Sequence, residues 1–138
     1  MIGSRWRRGL ALGAAVALIG SCAEPTAPQR PVAGALQVTW TTPHVDDRSA
    51  LLRVVLPSGL SATGLDGATP GIEVFHRQSG DTLFIAAFGE LASGALLRFE
   101  VPDVRQASRI AATIVEVGAA DDALRTTTDG YAVRVQQP

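Results

Sequence analysis

An all-β fold, a single antiparallel β-sandwich, is what this sequence predicts. From residue 34 onward the chain breaks into short apolar runs that alternate with polar residues at a period of two. Gly, Pro, Asp and Ser separate those runs, and helical periodicity is nearly absent. About seven short strands in about 100 residues fit an Ig-like or jelly-roll-like layout.

The strands follow in order. Leu36, Val38 and Trp40 alternate with Gln37, Thr39 and Thr41, the pattern of a half-buried strand. Residues 50–56 (ALLRVVL) make a second, with Leu52, Val54 and Leu56 on one side. Residues 72–78 and 82–88 flank Ser79-Gly80-Asp81 and read as a hairpin. The run 82–88 (TLFIAAF) is apolar on both faces, which suits a central strand. Residues 95–101 send Leu97, Phe99 and Val101 inward, with Arg98 and Glu100 outward. Residues 110–117 and 131–135 complete the set, the last after an Asp129-Gly130 turn. Pro43, Pro57, Pro70 and Pro102 fall at strand ends or in connections, where a missing N–H does no harm. One helical turn is expected at 121–125. No second domain or internal repeat is evident.

Ahead of the domain, Arg5, Arg7 and Arg8 make a basic start, followed by the apolar run 10–20 (LALGAAVALIG). A bilayer-spanning helix needs about 20 apolar residues, so this run is too short to span and suits a secretory leader. Ile19-Gly20-Ser21-Cys22 then resembles a bacterial lipobox: an aliphatic residue, two small ones and a cysteine. The resemblance implies cleavage before Cys22, a diacylglycerol thioether on its sulfur and acylation of the new amino group. Each buried methylene contributes about 0.8 kcal/mol to such an anchor. The chain thus divides into a signal peptide (1–21), a lipidated cysteine with a proline-rich tether (22–33) and the sandwich (34–138). Prolines 25, 28 and 31 favour an extended tether, rising about 3.1 Å per residue, that holds the domain off the membrane. Ala23, where some sorting signals have Asp, favours the outer membrane; the face is left open.

Three of the 12 arginines and none of the 13 acids precede Cys22, so nine arginines face 13 acids in the remainder. That mildly acidic balance argues against a nucleic-acid partner. Lysine and asparagine are absent, which leaves left-handed turn positions to other residues. Cys22 is the only cysteine, so no disulfide within the chain supports the fold.

Residues 80–103 (GDTLFIAAFGELASGALLRFEVPD), with the opening GALQVTW and the closing YAVRV, resemble cohesin-like and related carbohydrate-binding-type sandwiches. In these a strand of small and apolar residues leads through a Gly-rich bend into a more apolar strand. The resemblance implies a jelly-roll-like module that binds without covalent chemistry.

Short catalytic motifs are absent, and the chain is expected not to be an enzyme and to need no cofactor. His44 and His76 lack neighbouring Cys or His, so no metal site is assigned. Ser49, His44 and Asp47 hold the residue types of a hydrolytic triad, but a solvated loop is the expected reading. The pairs Asp46-Asp47 and Asp121-Asp122 are read as solvated turn residues, since calcium wants six to eight oxygens. Trp40 and Tyr131 are the candidate ligand contacts, although their phase with Leu36, Val38, Val133 and Val135 favours the core. Arg53, Arg98 and Arg134 are outward charges, on one sheet face if they serve an anionic partner.

Together these readings give a membrane-anchored, non-catalytic envelope lipoprotein whose sandwich serves binding or structural interaction. The expected partners are the membrane, through Cys22, and another envelope protein or a polysaccharide. The alternatives are a cohesin-like or carbohydrate-binding recognition module and a small envelope hydrolase.

Overall fold

The structure, a computed structural model, describes residues 27–138. The leader, the lipobox residues Ile19, Gly20 and Ser21, Cys22 and the first part of the tether lie outside the described residues. Eight strands form two four-stranded antiparallel sheets, an all-β sandwich. They are β1 (Gly34–Thr41), β2 (Asp47–Val55), β3 (Thr63–Gly67), β4 (Glu73–Ser79), β5 (Thr82–Phe88), β6 (Gly94–Val101), β7 (Ala111–Ala119) and β8 (Ala132–Gln136). One sheet runs β3-β6-β1-β8, the other β4-β5-β2-β7. Among the described residues only β4 and β5 are both consecutive in the chain and adjacent in a sheet; every other connection between these strands crosses the sandwich.

The period-two pattern is what makes these strands pair and pack. Leu36 lies opposite Phe99 and Val38 opposite Leu97, while Leu52 pairs with both Ile85 and Ile114. The inward sides of β1, β6, β2 and β5 are fully buried, and Trp40 closes one end of the core at 1 % exposure. Each such apolar side chain contributes about 1.5–3 kcal/mol on burial. The run 82–88 is the interior strand β5, as its two apolar faces require. The β4–β5 hairpin turns through Gly80 at φ 59°, the first central position of a two-residue loop, where glycine carries no Cβ penalty.

Two local expectations need correction. The eighth strand is β3, TGLDG, which shows no apolar alternation. It is an edge strand paired to β6 through an irregular register, so backbone hydrogen bonds rather than side-chain burial select it. Residues 121–125 form no helical turn. Asp122 takes a left-handed φ of 63°, a role asparagine often plays elsewhere, and Leu124 bridges to Gly118. The helical element is instead a short 3-10 helix, Val104–Arg109, capped by the Asp103 carboxylate, which accepts from the Arg105 amide.

The antiparallel pairing sorts the connections. Those after β1, β3, β5 and β7 gather at one end of the sandwich; those after β2, β4 and β6 gather at the other, where residue 34 enters. At that entry the domain-side end of the tether lies on the domain. The Val104 amide donates to the Val32 carbonyl at 2.8 Å, and the Val32 amide donates to Asp103 Oδ1 at 3.3 Å. Arg105 donates to Gln29 Oε1 at 3.0 Å and to its carbonyl at 3.1 Å. Both sheets, the core and this clasp lie within residues 27–138.

Candidate functional site

Asp47, the first residue of β2, is fully buried and organises the end of the sandwich away from the chain entry. Its Oδ1 accepts from Arg125 Nε at 3.0 Å and from the Tyr131 hydroxyl at 3.0 Å, and its Oδ2 accepts from the Thr42 hydroxyl. Arg125 also donates to Asp46 Oδ1 at 2.5 Å. The Asp47 carbonyl accepts from the Leu91 amide at 3.1 Å. One residue therefore joins the β1–β2, β5–β6 and β7–β8 loops. Reading Asp46-Asp47 as solvated turn residues fails for Asp47, because a carboxylate with these partners is satisfied without water.

The charges support one another. Hydrogen bonds to Asp47 and then Asp46 hold the Arg125 guanidinium above its ordinary value. The same bond from Arg125 pulls Asp46 below the usual carboxylate range. Burial first, and then the bond to Asp47, pushes the Tyr131 phenol up, so it stays a neutral donor. A carboxylate engaged in this way is not free to act as base, nucleophile or metal ligand.

Beside this cluster a groove of about 310 Å³ is lined by residues that include His44, Glu90 and Ser93. These are the residue types a hydrolase needs, but the hydrogen bonds run elsewhere. Ser93 Oγ accepts from the Thr42 amide at 3.0 Å and donates to the Thr42 carbonyl at 3.3 Å. The His44 ring packs against Tyr131, with centroids 5.8 Å apart. Ser49, His44 and Asp47 do not assemble as a triad either. Asp47 is taken up by Thr42, Arg125 and Tyr131, and Ser49 Oγ sits against Gly118, where a Cβ would approach within 2.3 Å. His76 is on the edge strand β4, away from this groove. Among the described residues no group of three or more His, Cys, Asp or Glu side chains is placed to hold a metal ion.

The outward face of β4-β5-β2-β7 is different in kind. Register places Phe75, Ala86, Leu51 and Glu116 in one row across the four strands. The row toward the loop cluster holds Glu73, Phe88 and Ser49; the row on the other side holds Arg77, Phe84, Arg53 and Thr113. Phe75 is 59 % and Phe88 44 % exposed, with ring centroids 5.9 Å apart at 71°. The Arg77 guanidinium lies 5.7 Å from the Phe84 ring centroid. Phe88, Ala86, Leu51 and Glu116 also line a shallow depression of about 210 Å³. Phe75 and Phe88 thus sit side by side on this exposed face rather than singly.

No family model matches this chain, and neither a curated protein nor a solved structure matches it. The site therefore rests on its own geometry.

Of the residues singled out from sequence, Trp40 lies in the core and presents no ring face to a ligand. Tyr131 is half-buried, packed on Trp40 with centroids 5.4 Å apart, and its hydroxyl is committed to Asp47. Neither offers a platform for a sugar ring. Arg98 and Arg134 belong to one sheet and Arg53 to the other, so the three do not share a face. Asp121 and Asp122 are exposed, and Asp121 caps the Ala123 amide at 3.1 Å. Sequence reasoning missed the phenylalanine face because it sought aromatics with a polar tip. The available signal was that Phe75 alternates out of phase with Ile72 and Val74, while Phe84 and Phe88 share the second face of an otherwise buried strand.

Proposed function

We propose that the chain is a lipid-anchored, non-catalytic module of the bacterial envelope that binds a protein component of that envelope through the outward face of β4-β5-β2-β7. The observation that carries the reading is the exposed Phe75–Phe88 pair, set beside Leu51 and Ala86 on a regular sheet. Exposed rings there add nothing to the core, so their contribution is to a contact made after folding. The two rings meet at 71°, which favours an interdigitating protein surface over the coplanar stacking a sugar chain prefers.

Anchoring is supported by Ile19-Gly20-Ser21-Cys22 after an apolar run too short to span a bilayer. The clasp of Gln29 and Val32 on Asp103 and Arg105 ties the domain-side end of the tether to the sandwich. The outer membrane remains the favoured location, on the strength of Ala23.

The test joins both parts. Cys22→Ala should move the protein from the membrane pellet to the soluble fraction. Phe75→Ser with Phe88→Ser should leave it in the pellet but abolish recovery of its bound envelope component after mild cross-linking. Retention in the pellet without Cys22, or unchanged recovery without both rings, contradicts the respective part.

A further inference from the structure

We infer that the component bound by this face is a second copy of the chain, in a two-fold pair whose axis follows the row Phe75–Ala86–Leu51. The inference rests on the reading of this face as the interaction surface and adds the identity of the occupant. Its basis is the distribution of charge about the apolar centre. Glu73 and Glu116 lie in the centre row or toward the loop cluster, whereas Arg77 and Arg53 both lie one row to the other side. All four are exposed.

A two-fold axis in the plane of the contact exchanges the rows on either side of it. Glu73 then comes opposite Arg77 of the second copy, and Phe88 comes opposite Phe84. Arg53 of the second copy comes opposite Ser49, one strand and one row from Glu116 and within reach of its long side chain. Phe75, Ala86 and Leu51 meet their own counterparts on the axis, and so does Glu116 at the end of the row, where Arg53 of the second copy offsets the like charge. A single patch thus serves as both halves of the contact, the requirement of an isologous pair. A contact of the opposite hand, with the axis along the strands, sets Phe75 against Glu116 and leaves Glu73 and Arg77 without opposite charges, so charge selects the first arrangement.

The size of the face bounds the strength of the pair. Four strands about 4.8 Å apart and about 24 Å long give a flat footprint of about 450 Å². Doubled across the pair, this lies below the roughly 1,200 Å² of the smallest standard interfaces, which places the pair among weak, transient contacts. The geometry also suits two copies anchored in one membrane. With the axis along the membrane normal, both chain entries stand at equal height.

Sedimentation of the chain from residue 22 onward, with Cys22→Ala so that it stays soluble, tests this directly. This form keeps both sheets, the core and the Gln29–Asp103 clasp. A monomer–dimer equilibrium is expected. Glu73→Arg alone and Arg77→Glu alone should each weaken it at least tenfold, and the two together should restore it, since each pair then regains opposite charges. Unchanged thermal unfolding of each variant shows that folding is not the cause. A chain that stays monomeric at about 0.1 mM overturns the inference. So does a dimer indifferent to the single swaps. If the monomer persists while Phe75→Ser with Phe88→Ser still abolishes recovery of a different envelope protein, this inference fails and the reading of the face stands.

Discussion

The Tyr131 hydroxyl donates to the Asp47 carboxylate at 3.0 Å across 84 residues of chain. With Arg125 on the same oxygen, that bond closes the β7–β8 connection, residues 120–131, onto the start of β2. The longest connection between strands is thereby held by side chains rather than left to swing.

Breaking this cluster should therefore cost stability out of proportion to its size. Asp47→Ala leaves the Arg125 guanidinium, the phenol and the Thr42 hydroxyl without their shared acceptor, and a loss of about 3 kcal/mol is expected. Tyr131→Phe keeps the packing on Trp40 and removes one charge-assisted bond, for a loss of about 1.5 kcal/mol. Urea unfolding followed by tryptophan emission measures both, because Trp40 is the only tryptophan after Cys22. Equal stability of Asp47→Ala and the parent would show that the cluster does not hold the loops.

Stability should fall at both pH extremes, for different reasons. The Arg105 hydrogen bond, aided by the Val32 and Arg105 amides, holds Asp103 well below its ordinary 3.8. A lowered folded value means the unfolded chain takes up protons first. The contribution is then complete above about pH 4 and lost as pH falls toward the folded value. Tyr131 is shifted the other way. Its contribution is complete below its ordinary 10.0 and lost as pH rises through the higher folded value. Thermal unfolding against pH should show the acid limb flattened by Asp103→Asn and the alkaline limb flattened by Tyr131→Phe. Limbs that match the parent's would refute these assignments.

Phenylalanines on the two sides of the sheets should respond oppositely to truncation. Phe99 is fully buried, and Phe99→Ala should cost about 3–5 kcal/mol. Phe75→Ser and Phe88→Ser replace exposed rings and should stay within about 0.5 kcal/mol of the parent. Chemical denaturation separates the cases. A large loss at Phe75 would make it a structural residue and weaken its assignment to a contact surface.

The clasp at the chain entry should be measurable as protection. Amide exchange at Val32 and Val104 should be slow in the parent and fast in Arg105→Ala, which frees Gln29 and weakens the hold on Asp103. Fast exchange at Val32 in the parent would show that the clasp does not hold the chain entry.

Much of the fold was legible because strand periodicity is a local signal. The pattern in 36–40, 50–56 and 95–101 states which side of each strand is buried, and the core follows it except at Leu96, the extra residue of the bulge opposite Val38 and Thr39, which is buried as well. β3 was not legible, since TGLDG carries no apolar pattern and is chosen by the unpaired edge of β6. The Asp47 cluster was hidden for another reason. Asp47 and Arg125 are 78 residues apart, and a buried ion pair writes no spacing into a sequence. The phenylalanine face lay between these cases. The outward phase of Phe75 was readable, but its adjacency to Phe88 required the β4–β5 register.

The central claim, that the Phe75–Phe88 face meets a protein partner in the envelope, is tested most directly by a photo-activatable residue placed at 75 in living cells. An equivalent residue at Arg98, on the opposite sheet, serves as the comparison. The account predicts a discrete protein adduct from position 75 and none from position 98. Adducts from 98 alone, or none from 75 in protein that is folded and exported, would contradict it.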